Sequence, residues 1–494
     1  MNSLKIKTIV NIGYVAVARV ANLAFSGAAS IILAQNLSSS DYGIVGFATI
    51  FIGFLAQFSD LGINSAVIQK SDLDERGLYT GFTIKFFIGN IIFGFAFFLS
   101  PVTKVFFDND AVEMVMIVLS LNFLLNTFSF LPNCLLVRDL NYKKIFLPDI
   151  CSSLIGSITS IILALSGFKY WSIVYANLSS SVVRSLILNI LKPVKIRFRF
   201  NKEIAAEFIH YGGFLFLSGF FVYAIFNADN FIIGAVKGSQ ELGYYALAFN
   251  WGSMICGILF STVNSVLFPT FSRKQDDRDW LKKNYLRVLE YLSFLAVLGN
   301  AILFAVAPDF LFFILGHGTD KWHAAINAFK ILCIYGIFRA LLEPVGNIFL
   351  ALGKTNMLFR STVIVAVLEL SLLYPSIKYF GIEGAAIVVT IAYAMQYFVY
   401  FPFLKKNFNL NYNEVWVVAK PAILSGIFAV IIITAYSEIF KINSLFFMFQ
   451  KIFLGSVGFL LLHGILTKWK FVYETKSLIN HLKLKSVPSP KNTP

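Results

Sequence analysis

From residue 9 to residue 466 the chain is a succession of apolar runs about 20 residues long, each closed by a short charged or turn-rich stretch. A helix of that length crosses the roughly 30 Å hydrocarbon core of a bilayer. Lipid offers the backbone no hydrogen-bond partner, so such runs must be helices or strands of a closed barrel. Barrel strands alternate polar and apolar residues over about 10 positions, whereas these runs are apolar throughout. The expected fold is therefore an all-α polytopic membrane protein. Its composition agrees: 57% of residues are hydrophobic and 14% charged, against roughly 45–50% and 25% in soluble domains. A secreted disulfide scaffold, a disordered chain and most soluble enzymes are excluded.

Breaks in the pattern predict about 14 helices, near 9–34, 43–68, 78–100, 111–134, 145–166, 170–190, 208–234, 243–271, 289–315, 323–351, 358–380, 382–403, 416–436 and 444–466. Arg19 interrupts the first run, which reads as a span rather than a cleaved leader. Cys134, Cys151, Cys256 and Cys333 are scattered on apolar stretches without a CxxC pair and read as small hydrophobes.

The net charge of +15 would suggest nucleic acid in a soluble chain. Here topology explains it, because Lys and Arg collect on cytoplasmic loops. Of the 41 Lys and Arg, 28 fall on 1–8, 69–77, 135–144, 191–207, 272–288, 352–360, 404–415 and 467–494. Those segments are placed in the cytoplasm together with both termini, and no nucleic-acid partner is expected. The basic tail 467–494, ending in Pro488 and Pro490, reads as a segment near anionic lipid followed by a disordered end.

A weak repeat recurs at an offset of 200 residues. Asn11-Ile-Gly13 corresponds to Tyr211-Gly-Gly213, Ser39-Ser-Asp41-Tyr-Gly43 to Ser239-Gln-Glu241-Leu-Gly243, Ala48 to Ala248, and Asn64-Ser65 to Asn264-Ser265. The expected organisation is an N-terminal six-helix lobe (1–190), a basic cytoplasmic linker (191–207), a pseudo-symmetric six-helix lobe (208–403), two additional helices (404–466) and the tail (467–494). Parallel repeats of this kind are a transporter signature, with substrate handled where the halves meet.

The stretches Leu37-Ser-Ser-Ser-Asp41-Tyr-Gly43, Asp60-Leu-Gly62-Ile-Asn-Ser-Ala66-Val-Ile-Gln69-Lys and Leu242-Gly-Tyr-Tyr-Ala-Leu-Ala248 resemble the polysaccharide transporter family. So do Lys321-Trp322 before a helix and Ala351-Leu-Gly353-Lys. That family comprises Wzx-like flippases of lipid-linked oligosaccharides within the multidrug/oligosaccharidyl-lipid/polysaccharide exporter superfamily. The resemblance implies 14 helices in two lobes, alternating access, a bacterial inner-membrane location and an undecaprenyl-diphosphate-linked glycan as cargo. That glycan would be a repeat unit of O-antigen, capsule or exopolysaccharide. Membrane lipids, a polysaccharide polymerase and chain-length machinery are the implied partners.

A charge at mid-bilayer costs several kcal/mol unless it faces a cavity or a partner. Within the predicted spans lie Arg19, Lys85, Arg184, Lys330 and Arg339, and the acids Asp229, Glu343 and Glu369. The functional reading gathers the cations in a basic central lumen, because an Arg fork suits phosphate oxygens and keeps its charge when buried. The alternatives are snorkelling for Lys85, Arg184 and Lys330, and mutual neutralisation for Arg339 and Glu343, four apart on one face. Asp229, Glu369 and Glu343 are the candidates for coupling to H⁺ or Na⁺, with Asp229 equally able to bond neighbouring polar groups. Asn22, Gln57, Asn90, Asn122, Asn126, Asn177 and Asn347 are candidate sugar partners, although most polar residues in spans bond neighbouring helices.

No Ser/His/Asp constellation, metal motif or P-loop is present in the sequence, so neither an enzyme nor a bound cofactor is expected. A cation-coupled multidrug antiporter of the same superfamily is the nearest alternative and would concentrate carboxylates in one lobe. A polysaccharide polymerase or ligase would need a sizeable external loop.

Overall fold

The computed structural model describes residues 2–70, 73–107, 109–139, 141–442 and 444–470. Among them the chain is helical and contains no strand. Among the described residues, eleven helices are long and apolar enough to cross a membrane. The expectation of about 14 spans is consistent with this set. The longest of the eleven, Phe359–Phe408, has 50 residues, and Gly381 breaks it at φ 60°, where the sequence separates two spans. The tail beyond 470, with Pro488 and Pro490, lies outside the described residues.

The chain divides into two compact units. The first comprises Met1–Leu247, Ile314–Ala324 and Leu370–Ala385. It contains α1 (Asn2–Asn36), α2 (Ser39–Asp60), α3 (Ile63–Gln69), α4 (Glu75–Leu99), α5 (Thr103–Phe106), α6 (Asp110–Arg138), α7 (Tyr142–Leu165), α8 (Trp171–Leu191), α9 (Lys202–Phe226) and most of α10 (Ala228–Gly252). Packing runs from α1 to α7, α8, α6 and α4, with α2 laid on α6 and α9 on α2.

Local chemistry explains where these helices begin, bend and end. Ser38 and Asp41 form a reciprocal capping box at the start of α2, satisfying backbone N–H groups that the first turn leaves unpaired. The predicted span 43–68 is interrupted by Leu61 (φ 40°) and Gly62 (φ 68°), where glycine tolerates left-handed backbone without a Cβ penalty. The chain resumes as α3, whose last carbonyls are capped by the Arg138 guanidinium: Nη1 donates to the Val67, Ile68 and Lys70 oxygens at 2.9, 3.2 and 2.5 Å. Pro132 inside α6 has no N–H to give the carbonyl four residues back. That carbonyl, of Phe128, accepts instead from Asn189 Nδ2 of α8 at 3.0 Å.

The basic linker is pinned rather than loose. Arg199 N–H donates to Thr83 Oγ1 at 3.1 Å, Thr83 Oγ1 donates to the Arg199 carbonyl at 2.9 Å, and Asn201 N–H donates to Thr80 Oγ1. Phe198 packs on Phe82 and Phe86 of the same helix, α4.

The second unit comprises Ala248–Phe313, Ala325–Glu369 and Ala386–Pro494. Its helices are α11 (Met254–Ser272), α12 (Arg278–Ala305), the short α13 (Ala307–Asp309), α14 (Ile326–Ala351), the flanking parts of α15 (Thr355–Phe408), α16 (Tyr412–Phe440) and α17 (Leu445–Leu466). Leu281, Tyr285, Val345, Phe349, Phe401 and Leu404 form one core between α12, α14 and α15. Phe294, Val297, Ala422, Ala429 and Phe459 form another, joining α12 to α16 and α17. Lys451 of α17 is 7% exposed and meets Asp309, 13% exposed, at 2.8 Å. Each ion thereby supplies the partner that a charge in a membrane requires.

Candidate functional site

Two of the five sequence-predicted cations meet in one cavity. In the first unit, a cavity of about 260 Å³ is lined by Ser59 of α2, Asn64 of α3, Lys85 of α4, Asn126 and Asn133 of α6, and Arg184 of α8, with Phe123 and Phe130 on its apolar side. Lys85 Nζ donates to the Ser59 carbonyl at 2.9 Å and stands 5.8 Å from the Phe130 ring centroid. The Arg184 guanidinium donates from Nε to Asp149 Oδ1 of α7 at 3.0 Å and from Nη2 to Asn133 Oδ1 at 3.5 Å. Arginine carries five N–H donors, so two such bonds fix its plane without exhausting its capacity. Both cations are half-buried, and none of the described residues that line the wall is a carboxylate. Donors of this kind suit an anion with several acceptor oxygens.

The helix ends opposite this cavity carry a second organised feature. A Cβ added at Gly43 would lie 1.8 Å from the Ser239 carbonyl oxygen, and one added at Gly243 would lie 1.7 Å from that of Ser39. Residues 200 apart thus exchange roles in a reciprocal backbone contact, with Ser40 Oγ and Ser239 Oγ 3.1 Å apart beside it. Gly238 (φ 84°) breaks α10 just before this contact, as Ser38 precedes α2. Trp322 seals the same end. It is fully buried, and its indole N–H is shared between the Ala34 and Leu315 carbonyls at 3.1 and 3.2 Å. Lys321 Nζ donates to the Gln35 carbonyl at 3.0 Å, and Gln35 Nε2 donates to that of Ile314 at 2.8 Å.

The remaining predicted residues are distributed elsewhere. Arg19 is exposed on α1. In the second unit, Arg339 Nη1 donates to the Tyr335 hydroxyl at 2.8 Å, and the Tyr335 ring stands edge-on to Tyr393 with centroids 4.9 Å apart. Glu343, one turn further on α14, accepts from Asn347 Nδ2 at 3.5 Å. Lys330 stands over the Phe304 ring at 5.8 Å, and Glu369 is buried on α15. Asp229, in the first unit, is held by three donors: the Tyr245 hydroxyl at 2.7 Å, the Asn230 N–H at 2.8 Å and Asn230 Nδ2 at 3.1 Å. Of the predicted sugar partners, Asn126 lines the basic cavity. Gln57 and Asn90 turn back onto carbonyls of their own helices, and so does Asn347.

The profile of the family described as "Polysaccharide biosynthesis protein" matches residues 32–327. The chain belongs to this family. Among relatives of this polysaccharide biosynthesis protein, an "Uncharacterized membrane protein in cps region" of Klebsiella pneumoniae is 25% identical, covering 98% of this chain and 100% of its own. The "Lipopolysaccharide biosynthesis protein WzxC" of Escherichia coli (strain K12) is 23% identical over 83% of this chain and 84% of its own. Among solved structures, "Lipid II flippase MurJ, inward closed conformation" shares the fold with a TM-score of 0.74 at 14% identity, covering 93% of this chain and 99% of that one.

Several working residues of the family member were not found from its sequence. Asp149 and Asn133, which orient Arg184, lie 35 and 51 residues from it. Each follows a proline inside a predicted span, and a polar residue beside an intramembrane proline is the signal that would have singled them out. Lys451 and Asp309 both fall inside predicted spans, where their charge was the available signal; their pairing across 142 residues was not readable.

Proposed function

We propose that this polysaccharide biosynthesis protein is a flippase that carries a lipid-linked oligosaccharide across the inner membrane, taking up the diphosphate at the basic cavity of its first unit. The observation that carries this reading is the convergence of Lys85 and Arg184 on the wall of one cavity. A diphosphate has about two negative charges and strongly bound water. A site offering Lys⁺, Arg⁺ and amide donors replaces that water with charge-assisted bonds. The polyprenyl tail stays in lipid while the headgroup crosses.

With the termini in the cytoplasm, the basic cavity opens from the cytoplasmic half of the helices, and the reciprocal Gly43–Gly243 contact closes the outer end. Alternating access then requires that contact to part after loading. A potential of 100 mV, inside negative, assists outward movement of an anion by about 2.3 kcal/mol per charge, so export of a diphosphate is electrically favoured and coupling to H⁺ or Na⁺ at Asp229, Glu369 or Glu343 would add to it. Arg19, Arg339 and Lys330 are proposed as further contacts for the diphosphate. The cargo glycan belongs to O-antigen, capsule or exopolysaccharide, passed on to a polymerase with its chain-length machinery.

A multidrug antiporter would need carboxylates where this wall has cations. The test is complementation of a flippase-null polysaccharide strain, with lipid-linked repeat units assayed on each membrane face. Arg19→Ala and Arg339→Ala should trap intermediates on the cytoplasmic face. Normal export by both, together with normal export by Arg184→Ala, would overturn the reading.

A further inference from the structure

The first unit holds a second, widely open cavity of about 410 Å³, whose described wall residues include seven serines, Tyr42 and Asn177 and no acidic or basic side chain. It lies between α1, the start of α2, α7 and α8. A chain with 54 phenylalanines and 57% hydrophobic residues has ample means to fill such a space with apolar side chains, yet hydroxyls line it. Some of these serines do serve helix packing. Ser180 Oγ of α8 donates to the Ser152 carbonyl of α7 at 2.9 Å, and a Cβ at Gly156 would lie 2.0 Å from that Oγ. Packing accounts for the Tyr42 ring, which stands edge-on to Trp322 with centroids 5.6 Å apart, but not for its hydroxyl, whose oxygen is buried and has no hydrogen-bond partner among the described residues, a state that folded proteins rarely leave unresolved.

The position of this cavity relative to the basic one narrows its ligand. Ser180 and Ser181 precede Arg184 on α8 by four and three residues, so one turn, about 5 Å along the axis, separates the hydroxyl wall from the guanidinium. On α7, Ser153 stands one turn from Asp149, the residue that orients Arg184. A ligand with its phosphate at Arg184 would therefore place whatever is bonded to that phosphate against uncharged hydroxyls. Hydroxyls both donate and accept, and the volume lies within the roughly 300–1,000 Å³ of small-molecule sites.

We propose that this hydroxyl-lined cavity is a saccharide subsite that receives the first, uncharged sugar next to the diphosphate. The inference rests on the flippase reading and adds to it a second binding locus with a preference for neutral hexoses. Sugar discrimination resides in Tyr42, Ser157 and Asn177, and charge recognition in Lys85 and Arg184.

The test measures affinities of the full chain in lipid nanodiscs for four probes: undecaprenyl diphosphate, and its glucose, galactose and N-acetylglucosamine conjugates. At least one conjugate should bind about threefold to tenfold more tightly than the bare diphosphate, the range expected for a few neutral hydrogen bonds. Tyr42→Phe removes a hydroxyl with no protein partner and so spares the fold; it should reduce that advantage, and Ser157→Leu, which fills the space, should abolish it. Affinity for bare undecaprenyl diphosphate should stay within about twofold in both. An advantage unchanged in both variants overturns the proposal, as does the absence of any advantage while undecaprenyl diphosphate still binds, an outcome that leaves the flippase reading standing. Failure of all four probes to bind removes that reading and the subsite with it.

Discussion

Gly43→Ala tests the outer contact at the level of atoms. The added Cβ would sit 1.8 Å from the Ser239 carbonyl oxygen, whereas a carbon and a carbonyl oxygen approach to about 3.3 Å. The two backbones must therefore part by about 1.5 Å, and the neighbouring Ser40–Ser239 contact at 3.1 Å opens with them. The obstruction is backbone rather than a side chain that swings away, so the cost belongs with overpacking, about 1–3 kcal/mol. Because it falls only on the form in which the turns meet, it shifts the balance between closed and open forms about 5- to 150-fold. The assay is disulfide formation between Ser40→Cys and Ser239→Cys in membranes, in a chain cleared of its four native cysteines. Cross-linking should be efficient with glycine at position 43 and at least about fivefold slower with alanine; Gly243→Ala should repeat the effect. Equal rates in all backgrounds would show that the glycines do not govern closure.

Trp322→Phe removes the donor shared by Ala34 and Leu315, worth about 1 kcal/mol in this closed form. It should raise labelling of Ser40→Cys by a membrane-impermeant maleimide, and unchanged labelling would remove Trp322 from the seal. Lys451→Ala strands Asp309 in an apolar setting and should cost about 3–5 kcal/mol, while Lys451→Met with Asp309→Leu should recover most of that loss. Thermal unfolding in detergent reads both variants, and a double variant as unstable as the single would contradict the account of this pair.

The spans were legible because lipid enforces them: only helices and closed barrels satisfy N–H and C=O groups in hydrocarbon, and runs apolar throughout leave the helix, so hydropathy alone located most helices. The repeat was legible in the few positions where backbone meets backbone, as at Gly43 and Gly243. The breaks were less so. Leu61–Gly62 divides a predicted span because two successive residues adopt left-handed backbone, and only the glycine advertised it. Singling out Lys85 and Arg184 as costly charges needed nothing beyond their surroundings in the sequence. Their convergence depends on how α4, α6 and α8 pack, and the Asp149 carboxylate that orients Arg184 comes from α7, which no local spacing encodes. The seven serines of the second cavity are spread over α1, α7 and α8, and each alone reads as an ordinary helix-packing residue.

The central claim, that the wall carrying Lys85 and Arg184 takes up a diphosphate headgroup, is tested most directly by flipping in proteoliposomes loaded with a fluorescent undecaprenyl-diphosphate-linked sugar. Lys85→Gln with Arg184→Gln removes both charges while leaving a polar amide at each position. Loss of two charge-assisted contacts, about 1.5–3 kcal/mol each, predicts a rate lower by at least about 100-fold in a protein that still folds and inserts. A rate equal to that of the unsubstituted chain would contradict the account.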